Sequence, residues 1–350
     1  MTKTLPLMDN VRLIQFLVGL LNTPSPTGRS EDAVAFVEAA LGGLPGVEMR
    51  RTRKGALLVP LAGQREDAPR ALTAHVDTLG AMVKQIKGNG RLELSMLGGY
   101  SWNAVEGEGV TVFAANGKQY RGSYLINLAS SHVYGKDTSE LKRAGDTMEV
   151  RLDEYADTAE KTAALGIMVG DFVAFDTRTE VTNDFVRSRY LDDKACVACL
   201  VEAVRALAAA GLKPAQKTYI LVSNYEEVGH GAAAGLPVDT VELLAVDMAA
   251  VGEGQTSDEF NATLCVKDSG GPYHHGMSNR LRKLAEEYGI PYKVDIYPYY
   301  GSDGEAYWRA GGDVAVALIG PGVDASHNYE RTHLQALIAT TQWSLAYMLG

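Results

Sequence analysis

Residues 71–77 read Ala71-Leu72-Thr73-Ala74-His75-Val76-Asp77, a partly apolar run that closes on a histidine and an aspartate. Such a run reads as a strand, and polar groups at its far end suit a strand that feeds an active site in an α/β protein. Upstream lie two shorter strand-like runs at 47–51 and 56–60, a helix over about 8–22, the loop Thr23-Pro24-Ser25-Pro26-Thr27-Gly28, and a second helix from Ser30, read as its cap, to about Leu41. Downstream of Thr78 the texture changes: glycine-punctuated alternating runs at 92–97, 110–114, 120–126, 148–152 and 172–176 read as a small β-barrel or sandwich. After residue 184 the helix–strand rhythm resumes. It predicts a helix over 194–210, strands at 218–223 and 243–247, a helix near 278–288, strands near 293–297 and 314–319, and a closing helix over 332–349. The expected architecture is an α/β domain, a mixed central sheet flanked by helices, built from residues 1–77 and 185–350 and interrupted by a β-rich insertion over 78–184.

The totals agree with two units. A chain of 350 residues exceeds the length at which one hydrophobic core usually keeps growing, and its 46% hydrophobic and 22% charged residues are those of a folded globular protein. A formal charge of −10 argues against a nucleic-acid partner, since phosphate backbones are held by concentrated Lys and Arg. No stretch approaches the ~20 apolar residues of a membrane span, and no basic-then-apolar leader is present, so a cytoplasmic location and no membrane partner are expected. Three cysteines, Cys196, Cys199 and Cys265, are too few and odd in number for a disulfide framework.

Five polar clusters stand at the ends of predicted elements. His75 and Asp77 point to the same side of an extended chain, where the carboxylate can hold the imidazole. Asp192-Asp193 precede a helix, a place where acids are also ordinary caps. Glu226-Glu227 follow the strand 219–223 without a turn, and paired carboxylates beyond a buried strand are costly unless something cationic lies between them. Asp247 terminates Leu243-Leu244-Ala245-Val246, and Ser326-His327-Asn328-Tyr329-Glu330 follows Gly320-Pro321-Gly322. Taken singly, each except the Glu226-Glu227 pair fits a satisfied strand or helix end. Together they offer nitrogen and carboxylate donors without thiolate, a set suited to zinc, cobalt or manganese. A two-metal site needs one shared carboxylate and two further ligands per ion, with a sixth acid free to take a proton from water.

These clusters, with Pro26-Thr27-Gly28, the stretch from Gly80-Ala81-Met82-Val83 to Gly98-Gly99-Tyr100, and Gly301-Ser302-Asp303, resemble in order and context the M42 family of co-catalytic metallo-aminopeptidases, the glutamyl-aminopeptidase and tetrahedral-aminopeptidase group. The resemblance runs through nearly the whole chain, and the insertion between the first histidine and the paired aspartates is where that family carries its extra domain. It implies a zinc-peptidase-like catalytic domain, removal of amino-terminal residues from short peptides, and two divalent ions per chain, zinc or cobalt, with manganese also compatible. It further implies that Asp192 bridges the ions, Glu227 and His327 complete one site, and His75 and Asp247 the other. Glu226 is then the general base, and Asp77 orients His75. Ser302 and Asp303, in a glycine-flanked turn, are candidate substrate contacts that would shape the specificity pocket, with a turn of ordinary Ser and Asp preferences an equal alternative. The family implies homo-oligomers, dimers through the insertion and often hollow dodecamers. One departure is Thr78, where many relatives have glutamate; it leaves the ligand set intact and the substrate preference open.

Cys196-Val197-Ala198-Cys199 has the spacing of a metal or redox pair, but in an apolar helix it reads as buried small side chains. Tyr273-His274-His275 would send its two imidazoles to opposite faces of an extended segment, which suits loop and surface roles better than ligation. Two other functions remain compatible with the residues: a related zinc amidohydrolase of deacylase or carboxypeptidase type, and a metal-stabilised peptide-binding assembly subunit without turnover.

Overall fold

The structure is a computed structural model that describes residues 3–350. Two compact units are present, one formed by the chain up to Asp77 together with Arg178–Gly350, the other by Thr78–Thr177.

The larger unit is built on a mixed sheet. At its centre the strand Arg65–His75 lies parallel between Gln216–Ser223 and Glu242–Val246, and the last is parallel to Ala315–Asp324. Antiparallel strands extend the sheet on both sides: Leu57–Leu61 against Gln216–Ser223, and Ala262–Asp268 against Ala315–Asp324. Central parallel strands are covered on both faces, which explains why Leu243, Leu244, Ala245 and Val246 are all essentially inaccessible. The helix Leu191–Ala210 packs on the His75 strand and against the closing helix Leu334–Leu349. Beyond its acidic first turn it is mostly apolar and is buried along most of its length, and Cys196 and Cys199 are free, buried thiols within it.

Register decides where the site lies. Ser223 stands opposite His75, Ala245 opposite Thr73, and Val246 opposite Ile319. The parallel strands therefore end at one edge, and the residues just beyond them, Asp77, Glu226, Glu227 and Asp247, leave the sheet together. The carboxyl edge of parallel strands is the usual place for a site in an open α/β sheet.

Three expectations need correction. Residues 178–184 belong to the larger unit, because Glu180–Thr182 forms a hairpin with Phe185–Ser188, and that strand pairs with Glu330–His333. The closing helix begins at Leu334, the preceding four residues being strand. Ser30 precedes the helix Glu31–Leu41 but makes no side-chain cap; its Oγ accepts from Asn224 Nδ2 at 3.4 Å.

The smaller unit is a closed barrel, not a sandwich. Its six strands run Gly80–Ile86, Leu92–Leu97, Met148–Leu152, Gln119–Ile126, Gly109–Phe113 and Phe172–Phe175 around the ring. Alternate residues of Gln119–Ile126 are buried, the period of a strand with one face on a core. That core contains Tyr124 and Phe175, with Tyr100 edge-on to Phe175 and Trp102 tilted against Tyr124. Among the described residues no helix is long and apolar enough to cross a membrane.

Candidate metal centre

His75 ends its strand with its ring inaccessible, and Nδ1 lies 3.0 Å from the backbone oxygen of Asp77. A proton held on Nδ1 by that carbonyl leaves the Nε2 lone pair outward, where Asp192 Oδ1 is 3.2 Å away. The second oxygen of Asp192 lies 3.3 Å from His327 Nε2. Asp192 thus turns one oxygen toward each of two imidazoles. Beyond them the two glutamates divide: Glu226 Oε2 is 3.7 Å from His75 Nε2, and Glu227 Oε2 is 3.6 Å from His327 Nε2. Donor atoms of His75, Asp192 and Asp247 lie within 4.8 Å of one another, close enough to hold one cation.

Local backbone explains how distant segments converge. Asp192 and Asp193 precede the regular part of their helix, with non-helical φ/ψ and a cis peptide between them. Asp193 turns back to accept the His75 amide at 3.1 Å, so it braces the histidine instead of facing the cavity. Tyr225, at φ 65°, reverses the chain directly after the strand Gln216–Ser223 and starts a single 3-10 turn containing both glutamates. Asp77 holds that turn: Oδ1 accepts from the Glu226 amide at 3.1 Å, and Oδ2 from the Glu227 amide at 3.4 Å and from Thr27 Oγ1 at 2.6 Å. Its carboxylate is farther from the imidazole, 3.6 Å from Nδ1, so its main grip is on the glutamate turn.

The electrostatics of this cluster call for positive charge. Burial, then the Asp192 carboxylate, push Glu227 up to about 8 and Asp247 up to about 7. Glu226 is raised well above the ordinary range, chiefly by burial. At Asp192 burial acts in the same direction, but His327 and His75 outweigh it and hold the carboxyl low. Glu227 Oε1 and Asp247 Oδ1 are buried acceptors with no hydrogen-bond partner among the described residues. Crowded carboxylates and orphaned acceptor oxygens are the chemistry a divalent cation satisfies, and with two imidazoles and no thiolate the donors fit zinc-like ions.

The cluster opens into a cavity of about 490 Å³ lined by Asp192, Glu226, Glu227, Asp247 and His327, with Met248, Tyr299, Tyr300 and Arg309 among its other walls. The M42 glutamyl aminopeptidase family model matches residues 55–343. YhfE of Bacillus subtilis (strain 168), whose own aminopeptidase designation is provisional, is 45% identical over 343 residues, 97% of this chain and 99% of that one. The chain belongs to the M42 glutamyl aminopeptidase family. It is an aminopeptidase, a hydrolase acting on peptide bonds. The glutamyl aminopeptidase of Lactococcus lactis subsp. cremoris (strain MG1363) is 27% identical to this M42 peptidase over 290 residues, 79% of each chain. The solved TET1 peptidase of Pyrococcus horikoshii shares its fold, with a TM-score of 0.84 at 22% identity over 96% of this chain and 99% of that one.

The structure separates Ser302 from Asp303. Ser302 lines the cavity, with its Oγ 2.8 Å from Tyr273 Oη, and caps the helix Asp303–Arg309 by accepting the Gly304 amide at 3.2 Å. Asp303 is buried inside this M42 peptidase, with both oxygens engaged. One accepts from Thr73 Oγ1 at 2.8 Å and from Ser223 Oγ, the other from the Ala232 amide at 2.6 Å. Those bonds tie the His75 strand to the two sides of the glutamate turn. Of the histidine pair, His274 caps the helix His275–Tyr288, its Nδ1 accepting from the Met277 amide at 3.2 Å. Two functional neighbours escaped the sequence reading: Tyr300, whose Oη donates to the Met248 oxygen at 2.7 Å, and Glu330, which stood in the last cluster without a role.

Proposed function

We propose that this M42 peptidase removes the amino-terminal residue from short peptides with two divalent cations, zinc or cobalt, and Glu226 as general base. Asp192 would be shared between the cations, with Glu227 and His327 completing one site and His75 and Asp247 the other. The observation that carries this reading is the placement of Asp192, one oxygen toward each imidazole, with a glutamate beside each. When bound, such cations supply Lewis acidity that acidifies water and polarises a carbonyl. Glu226 takes a proton from the water that attacks the scissile carbonyl and delivers it to the leaving amine nitrogen. Asp77, through the two amides it accepts, fixes the direction in which the glutamates point.

We also read the chain as a homo-oligomer built on dimers through the barrel. The support is its fold likeness to the TET1 peptidase, which can assemble into a tetrahedron or a large octahedral shell. A cytoplasmic site of action is in keeping with three free, buried thiols. The test is apoprotein reconstituted separately with zinc, cobalt and manganese and assayed on amino-acyl anilides beside their N-acetylated counterparts. The expected result is metal-dependent release from the free-amine substrates alone. Turnover of the acetylated set, or full activity in chelator, would overturn the reading. Light scattering that finds only monomer would remove the assembly proposal by itself.

A further inference from the structure

Asp192 and His327 come from distant parts of the chain, and both lie beside backbone that side-chain-bearing residues seldom adopt: φ is 69° at Tyr190, 58° at Ala325 and 62° at His327. Something has to hold these turns. Phe185–Ser188 and Glu330–His333 are antiparallel, with Ser188 opposite Glu330, so the segments leading to Asp192 and away from His327 part at the same end of the ladder. There the buried Glu330 carboxylate reaches past the last rung. Its Oε1 accepts from the His327 amide at 3.0 Å and its Oε2 from the Asp192 amide at 3.1 Å. A second cross-link lies alongside, Arg189 Nη1 donating to the Asn328 oxygen at 3.2 Å. Because the His327 side chain is 39% exposed, its direction depends on its backbone more than on packing.

We propose that Glu330 is a positioning residue of the metal centre: by accepting the two amides it sets the spacing between Asp192 and His327 without touching a ligand atom or the substrate. The inference rests on the two-cation reading of the site. A shorter side chain cannot span both amides, and a carboxamide can accept from one while its NH2 group opposes the other donor.

Wild type, E330Q, E330D and D192A, each stripped of metal, are titrated with cobalt(II) while the visible absorption band is followed, and their metal-free melting curves are recorded. E330Q and E330D are expected to bind cobalt roughly 10–100-fold more weakly, in the range seen when groups supporting metal ligands are altered. Their cobalt band should be altered, and at saturating cobalt kcat should be lowered with KM for an amino-acyl anilide nearly unchanged. D192A should show no band. If E330Q or E330D melts lower without metal yet matches wild type in cobalt affinity and band, Glu330 only supports the fold and the proposal fails. If E330Q does not fold, E330D decides by the same criteria. A D192A protein that binds cobalt like wild type removes the two-cation reading, and the role of Glu330 with it.

Discussion

Glu226 and Glu227 are chemically identical and adjacent, yet their surroundings give them different work. Each faces a different histidine, and Asp77 accepts from both their amides, so neither can turn without moving the other. Replacing Glu226 with Gln keeps shape and polarity and removes the ability to accept a proton. On the proposed mechanism turnover should fall by about 10²–10⁴-fold, the usual contribution of a general base, with cobalt content and thermal stability close to wild type. Single-turnover assays on metal-counted protein check this, and retained activity would take Glu226 out of that role. These residues were legible in the sequence because paired acids set close behind an apolar strand demand a compensating partner. The part Asp303 plays was not legible. In sequence it is an ordinary Gly-Ser-Asp turn, and only the fold brings Thr73, Ser223 and Ala232 to its oxygens.

At the scale of elements, the site depends on parallel strands ending in register, and one close approach holds Asp247 there. The Asp247 amide donates to the Ile319 oxygen at 2.9 Å, and the neighbouring Gly320 lets the two backbones touch. A Cβ on Gly320 would lie 1.8 Å from the Asp247 oxygen and 2.6 Å from its carbonyl carbon, both backbone atoms that cannot swing aside. Gly320→Ala should therefore displace Asp247, destabilise the protein by about 1–3 kcal/mol as overpacking does, and weaken cobalt binding. Calorimetry and cobalt titration of the variant are the measurements; wild-type values in both would show that this approach does not set Asp247. The strand ends were readable in advance, since apolar runs closing on His75 and Asp247 carry their own punctuation. The strand Glu330–His333 was not, because Thr332 and His333 run directly into an apolar helical pattern. Glu330 was hidden with it, because its reach to Asp192 exists only where its strand pairs with Phe185–Ser188.

For the molecule as a whole, the crowding of carboxyls ties stability to pH and to metal. In the metal-free protein burial, followed by Asp192, raises Glu227 to about 8, Asp247 to about 7 and Glu330 to about 8. An acid whose folded pKa exceeds its unfolded one favours folding while protonated, and that advantage disappears as pH rises from the unfolded value through the folded one. His75 is raised as well, Asp192 and Asp77 outweighing its burial, so its contribution is likewise full below the unfolded value and lost above it. Asp192 is held low and stays ionised in both states over this window. Lys194, pushed down to about 7 by burial, acts in the opposite sense, but only above that pH. The signs therefore agree between pH about 5 and about 7, where metal-free protein should lose stability as pH increases. Divalent cations bind the deprotonated donors, release protons, and should cancel or reverse this slope. Chelator-treated protein scanned across that range should show a melting temperature falling by several degrees, given about 2–4 °C per kcal/mol for larger domains, while protein saturated with cobalt stays level or rises. A chelator-treated sample whose melting temperature holds or climbs with pH would mean that these carboxyls are not forced together, and that nothing in the fold requires a cation between them.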